Sequence, residues 1–159
     1  MKIGIICAMQ VELELLKEEL KECKESSVMG FPFYEGRLHD RDVVLSLSGM
    51  GKVNAAIGTA LLINNFKVDL IINSGISGGT KPLKRRDSVL ATYLYYSDVD
   101  ATIFGYAYGQ VPGMPVEFAI KEELINKVEQ AFKTLKLPYV KTKVVTGDQF
   151  ITSMDQLKN

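Results

Sequence analysis

Apolar and polar residues change their period several times along the chain, and each change predicts an element. Residues 3–7 form a continuous apolar run broken by one glycine, the pattern of a strand buried on both faces of a sheet. Over residues 11–24, Leu13, Leu16, Leu20 and Cys23 recur three or four positions apart with Glu and Lys between them, which predicts an amphipathic helix. Residues 31–38 and 42–48 alternate apolar with polar around His39-Asp40-Arg41, predicting an antiparallel pair of strands. Gly49-Met50-Gly51 then punctuates the chain before a second helix over 52–66, rich in Ala and Gly and suited to lying close on a sheet. A buried strand follows at 68–73, then a strand at 88–96, a helix at 120–135, and a last strand at 140–146. Residues 97–118 show neither period and are long for a loop in a compact domain, which points to a site or a subunit contact. Strands alternating with helices predict an α/β fold, and the hairpin makes its sheet mixed.

Composition narrows the function classes. The 159 residues carry 19 Lys+Arg against 19 Asp+Glu and are 47% apolar, the profile of one compact domain. A net charge of zero supplies no basic field for a phosphate backbone, and the one dense basic run, Lys81 to Arg86, is most simply a solvated connection, so no nucleic-acid partner is expected. No apolar run approaches the roughly 20 residues of a membrane helix, and Met1-Lys2 leads straight into a strand, so neither a membrane nor a signal peptide is expected and a cytoplasmic setting is. Cys7 and Cys23 make no disulfide framework, and a single histidine, His39, leaves no basis for a His-built metal site or triad. No motif implies a metal or an organic cofactor.

Three features carry candidate chemistry. Glu12 falls in the first turn after the opening strand, where a sheet's carboxyl edge meets a helix N-terminus. An ionised carboxylate there can act as a general base, and it can equally be an ordinary acidic cap. The loop Gly75-Ile76-Ser77-Gly78-Gly79 can present peptide N–H groups to a ligand or form a tight turn; it is neither GxGxxG nor a P-loop. Met9, Met50, Phe104, Tyr106 and Phe150 lie on or near predicted loops, where they either line a flat apolar pocket or fill a core. Residues 152–157 have the cap and first turn of a further helix, so the 159 residues are expected to be the front portion of a single longer domain.

Taken in order, seven blocks resemble the 5'-methylthioadenosine/S-adenosylhomocysteine nucleosidases of the purine nucleoside phosphorylase superfamily. They are Met1 to Ile6 with Ala8-Met9 and Glu12; Ser48 to Ala56; Ile71 to Gly75 with Gly78-Gly79; Asp98 to Thr102; Phe104-Gly105-Tyr106; Tyr108 to Gly113; and Thr146 to Ile151. The resemblance implies a three-layer α/β/α sandwich with a central mixed sheet. It implies hydrolysis of the N-glycosidic bond of methylthioadenosine and adenosylhomocysteine to adenine and a 5-thioribose, a step of methionine salvage. Glu12 would activate the attacking water. The backbones of Gly78 and Ile151 would bind ligand, Phe150 would stack on the purine, and Met9 and Met50 would border the ribose and the 5'-alkylthio group. Phe104 and Pro112 would reach the pocket of a partner subunit, implying a homodimer. Phosphorylases of the superfamily hold phosphate with an Arg near the first strand; residues 8–12 contain none, favouring water as nucleophile.

Two departures from that pattern bear on mechanism. The family commonly has Gly-Ser-Ala-Gly-Gly where this chain has Gly75-Ile76-Ser77-Gly78-Gly79, so the hydroxyl that helps to place the water sits one residue later, on Ser77. The family also runs on for roughly a third more of its length, and that stretch carries the Met-Glu pair on the ribose hydroxyls and the Asp that protonates N7. The expectation is a chain weakly active or inactive by itself. Its competing readings are a related purine nucleoside hydrolase or phosphorylase, and a purine-binding remnant without turnover.

Overall fold

The computed structural model describes residues 1–153 and 156. The chain divides into two compact units, Met1–Ser77 and Gly78–Asn159, each with its own mixed sheet. Among the described residues no helix is long and apolar enough to cross a membrane. The expected helix over 152–157 falls largely outside the described residues.

The first unit opens with strand β1 (Ile3–Cys7), helix α1 (Gln10–Glu18) and strands β2 (Lys21–Val28), β3 (Phe31–Leu38) and β4 (Arg41–Leu47). Helix α2 (Lys52–Phe66) and strand β5 (Leu70–Asn73) complete it. The sheet order is β2-β3-β4-β1-β5, with β1 parallel to both β4 and β5 and the β2-β3-β4 meander antiparallel. Side chains alternate across this sheet as strand geometry requires. Ile5, Cys7, Val43 and Leu45 pack with Leu13 of α1 on one face, and Ile6, Phe33 and Val44 pack with Leu62 of α2 on the other. Helix, sheet and helix thus make three layers.

The first helix is shorter than its periodicity predicts. It stops at Glu18, and residues 21–28 form an edge strand instead of its last turns. Leu20 keeps its inward position, 6% exposed, but Cys23 faces solvent. The strand carries no apolar alternation because seven of its eight residues are exposed; its backbone pairs with β3, Glu25 pairs with Lys17 of α1 at 3.4 Å, and Val28 at its end packs against the core. A register shift between Lys21 and Lys24, with Glu22 at φ +54°, bulges it. Gly36 of β3 faces that bulge, and a Cβ there would lie 2.5 Å from the Lys21 carbonyl oxygen.

The second unit contains strand β6 (Ser88–Tyr96), a 3-10 turn (Thr102–Phe104), strand β7 (Phe118–Ala119), helix α3 (Glu122–Thr134) and strand β8 (Tyr139–Thr146). Its sheet order is β7-β6-β8, with β6 and β8 parallel and β7 antiparallel to β6. The aperiodic stretch is thus a loop that ends in a two-residue strand. Helix α3 begins with Glu122 and Glu123 and carries Lys133 in its last turn, charges that complement the helix dipole.

Helix α3 is fastened to β8 by one charged cluster. Glu129 accepts from the Tyr139 hydroxyl and from Lys141 Nζ at 3.1 Å, and pairs with Lys133 at 3.3 Å, while Phe132 stacks on Tyr139 with centroids 5.0 Å apart. The Tyr139 hydrogen bond, then Lys141 and Lys133, hold the Glu129 carboxyl at about 2, below its ordinary 4.5. A depressed folded-state value means the cluster stabilises the fold fully above pH 4.5 and is lost as pH falls toward 2. Glu129→Gln should therefore be less stable than the native chain at neutral pH, and the gap should close across that acid window in urea titrations. A gap unchanged by pH would contradict this assignment.

Candidate active site

Three parallel strands end together at one edge of the first sheet, and the candidate residues follow them directly. Strand β1 runs into α1 on one face, and its neighbour β4 runs into α2 on the other. Adjacent strands whose connections leave to opposite faces open a crevice at their carboxyl ends, the usual place for a ligand in open α/β sheets. Ser48 N–H donates to the Cys7 carbonyl at 2.9 Å and Ser74 N–H to the Ile6 carbonyl at 3.2 Å, tying the ends of β4 and β5 to that of β1.

Glu12 stands in the first turn of α1. Its Oε2 accepts the peptide N–H groups of Ala8 at 2.9 Å and Met9 at 3.0 Å, while Oε1 accepts that of Ile76 at 2.8 Å. One of these is the capping contact expected of an acid three residues into a helix, since Met9 is the N-cap. The other two come from the end of β1 and from the loop after β5, so the carboxylate is more than a cap. Gly75 abuts it as well: a Cβ there would lie 2.7 Å from Oε1.

Met9, half-buried, contributes its N–H to Glu12, and Met50 sits 72% exposed in the turn between β4 and α2, where Asn54 Nδ2 donates to its carbonyl at 2.8 Å. Ser77 is exposed one residue beyond Ile76. Cys7, directly before this cluster, is fully buried, and burial first, then the charge of Glu12, pushes its thiol up to about 11. At neutral pH it is a thiol packed as a small apolar group, not a nucleophile.

In the second unit the parallel pair β6 and β8 ends in a similar way. Ser97 N–H donates to the Thr146 carbonyl at 2.8 Å and Asp148 N–H to Asp98 Oδ2 at 2.8 Å. Phe150 follows, 90% exposed, with Ile151 half-buried beside it in sequence and Gly78 exposed at the start of the unit. Phe104 is 78% exposed at the end of the 3-10 turn, at whose start Asp100 Oδ1 accepts from Thr102 Oγ1 at 2.7 Å. Pro112 is exposed on the same loop.

Sequence reasoning placed Glu12 correctly but missed its partners, because peptide N–H groups leave no mark in side-chain identity. The one available signal was Gly75, a glycine standing immediately after a parallel strand at the edge that carries the acid.

Comparison with known proteins decides the family. The family model of the phosphorylase superfamily matches residues 2–159. The 5'-methylthioadenosine/S-adenosylhomocysteine nucleosidase of Staphylococcus aureus (strain MRSA252) is 48% identical over 155 residues, covering 97% of this chain and 68% of that protein. The chain belongs to this nucleosidase family. Among solved nucleosidases, that of Colwellia psychrerythraea in complex with adenine superposes with a TM-score of 0.94 at 39% identity, covering 99% of this chain and 66% of that one. The Neisseria meningitidis nucleosidase in complex with methylthio-immucillin-A gives 0.93 at 42% identity, over 98% of this chain and 68% of that one. The chain therefore spans about two thirds of the length of these nucleosidases, and the mixed sheets and flanking helices described above are those of the family fold.

Proposed function

We propose that this nucleosidase chain cleaves the N-glycosidic bond of methylthioadenosine and adenosylhomocysteine with water, and that Glu12 is its general base. The observation that carries this reading is the fixation of one carboxylate by three peptide N–H groups, from the end of β1, the N-cap of α1 and the loop after β5. Such fixation pre-positions an acceptor before substrate arrives. Water attacks C1' of the ribose as the bond to N9 breaks, Glu12 takes the water proton, and the bonding electron pair leaves with adenine, which takes its proton from solvent while Glu12 later returns its own to solvent. The oxocarbenium character of such a transition state is also stabilised by a nearby carboxylate. Ser77 would help to place the water, Met9 and Met50 would border the ribose and thioether, and Gly78, Phe150 and Ile151 would receive the purine.

The chain is further proposed to act in methionine salvage in the cytoplasm, as the front portion of a single nucleosidase domain over residues 1–159. A homodimer, with Phe104 and Pro112 entering the partner's pocket, is supported by the exposure of Ile103 at 87% and Phe104 at 78%, with Met114 and Val116 also exposed on the same loop.

Product analysis tests the reaction. With methylthioadenosine in phosphate-free buffer the expected products are adenine and 5-methylthioribose, at a rate that added phosphate does not change. A ribose 1-phosphate product would make the protein a phosphorylase, and adenine binding without any cleavage would make it a purine-binding remnant.

A further inference from the structure

Gly75 is unlike the glycines whose backbone requires them. Its φ lies outside the left-handed region, so any residue adopts its conformation. Space is what it lacks. The three atoms nearest to a Cβ at this position are all in the Glu12 carboxyl group: Oε1 at 2.7 Å, Cδ at 2.9 Å and Oε2 at 3.1 Å.

The nature of that obstacle decides what a side chain would do. At Gly36 the nearest atom is a backbone oxygen, at 2.5 Å, which moves only if the strand pairing moves. At Gly75 the obstacle is the far end of a flexible side chain, which swings aside at little cost to the fold. Swinging aside costs Glu12 its hydrogen bonds, because the group that would push it away is one bond from the peptide that holds it through Ile76 N–H. We infer that Gly75 is a positioning residue for the Glu12 base: its missing side chain lets the loop after β5 close on the carboxylate and hold it at the crevice.

This inference rests on the assignment of Glu12 as base, and the two fail differently. Gly75→Ala should stay folded, with a thermal midpoint no lower than that of Glu12→Ala, which loses the same three hydrogen bonds, and with a KM near the native value. Its kcat for adenine release should fall about 100-fold, the scale of a displacement of about 1 Å in a reacting group. Added to Glu12→Gln it should cost nothing further, since the group it displaces no longer functions as a base. Native kcat in Gly75→Ala, or losses that multiply in the double variant, would overturn the positioning role. A Glu12→Gln variant as active as the native chain would instead overturn the base assignment.

A second measurement stands independent of turnover. The amide proton resonances of Ala8, Met9 and Ile76 should move in Gly75→Ala in the direction they move in Glu12→Ala, as all three lose the same acceptor. If they stay at their native positions in Gly75→Ala, the carboxylate has not moved and the inference is wrong.

Discussion

Glu12→Gln is expected to lower the rate of adenine release by about 10²- to 10⁴-fold, the usual contribution of a positioned acid or base. The substitution preserves the shape of the side chain and removes its charge, so the loss falls on kcat. A smaller structural effect accompanies it. The native carboxylate accepts three N–H groups, two on Oε2 and one on Oε1. An amide has one oxygen to offer, and with that oxygen turned toward Ala8 and Met9 its NH2 faces the Ile76 N–H, donor against donor. One hydrogen bond is lost, at about 1 kcal/mol, so the thermal midpoint drops slightly while the chain stays folded. Initial rates with methylthioadenosine, with the midpoint measured in parallel, separate the two effects. A fall in rate no larger than the loss of folded protein would remove Glu12 from the chemistry.

The parts of the fold that were legible in sequence are those in which burial imposes a period. The spans predicted for β1, β3, α2 and β6 coincide with the observed ones; β1 and β3 each hold a face against other elements, while α2 was announced by the glycines before it and buries only Gly58 and Leu62. Strand β2 was invisible for the opposite reason: seven of its eight residues are exposed, so its side chains record no partner, and Leu20 extended the apolar spacing of α1 past the true helix end. The division into two sheets was hidden as well, since strand pairing depends on register and not on composition. At the site, Glu12 was legible because topology alone places the first turn after β1 at the carboxyl edge. Ile76 drew attention for the hydroxyl it lacks, yet what it supplies to Glu12 is a peptide N–H, which any residue there other than proline would carry.

The helix that carries Glu12 should also govern how firmly its carboxylate is held, and this can be measured through stability. Leu13 is fully buried between α1 and the sheet, in the cluster of Ile5, Cys7, Leu20, Tyr34, Val43 and Leu45. Its neighbour on the outer face, Leu15, is 73% exposed. Leu13→Ala removes apolar contacts on every side and leaves a cavity that a β-sheet backbone cannot collapse into, for an expected loss of about 2–5 kcal/mol. Against a typical domain stability of about 5–15 kcal/mol that is a large fraction. Leu15→Ala has no such contacts to lose and should change stability by less than about 0.5 kcal/mol. Urea midpoints of the two variants make the comparison with chemistry and helix propensity held equal. Because Leu13 adjoins Glu12 in sequence and anchors the same turn, the folded fraction of Leu13→Ala should also release adenine more slowly than the native chain at equal folded concentration. Equal costs for the two leucines would mean that α1 does not rest on the sheet through this face, and the pedestal for Glu12 would then have to be sought in the hydrogen bonds alone.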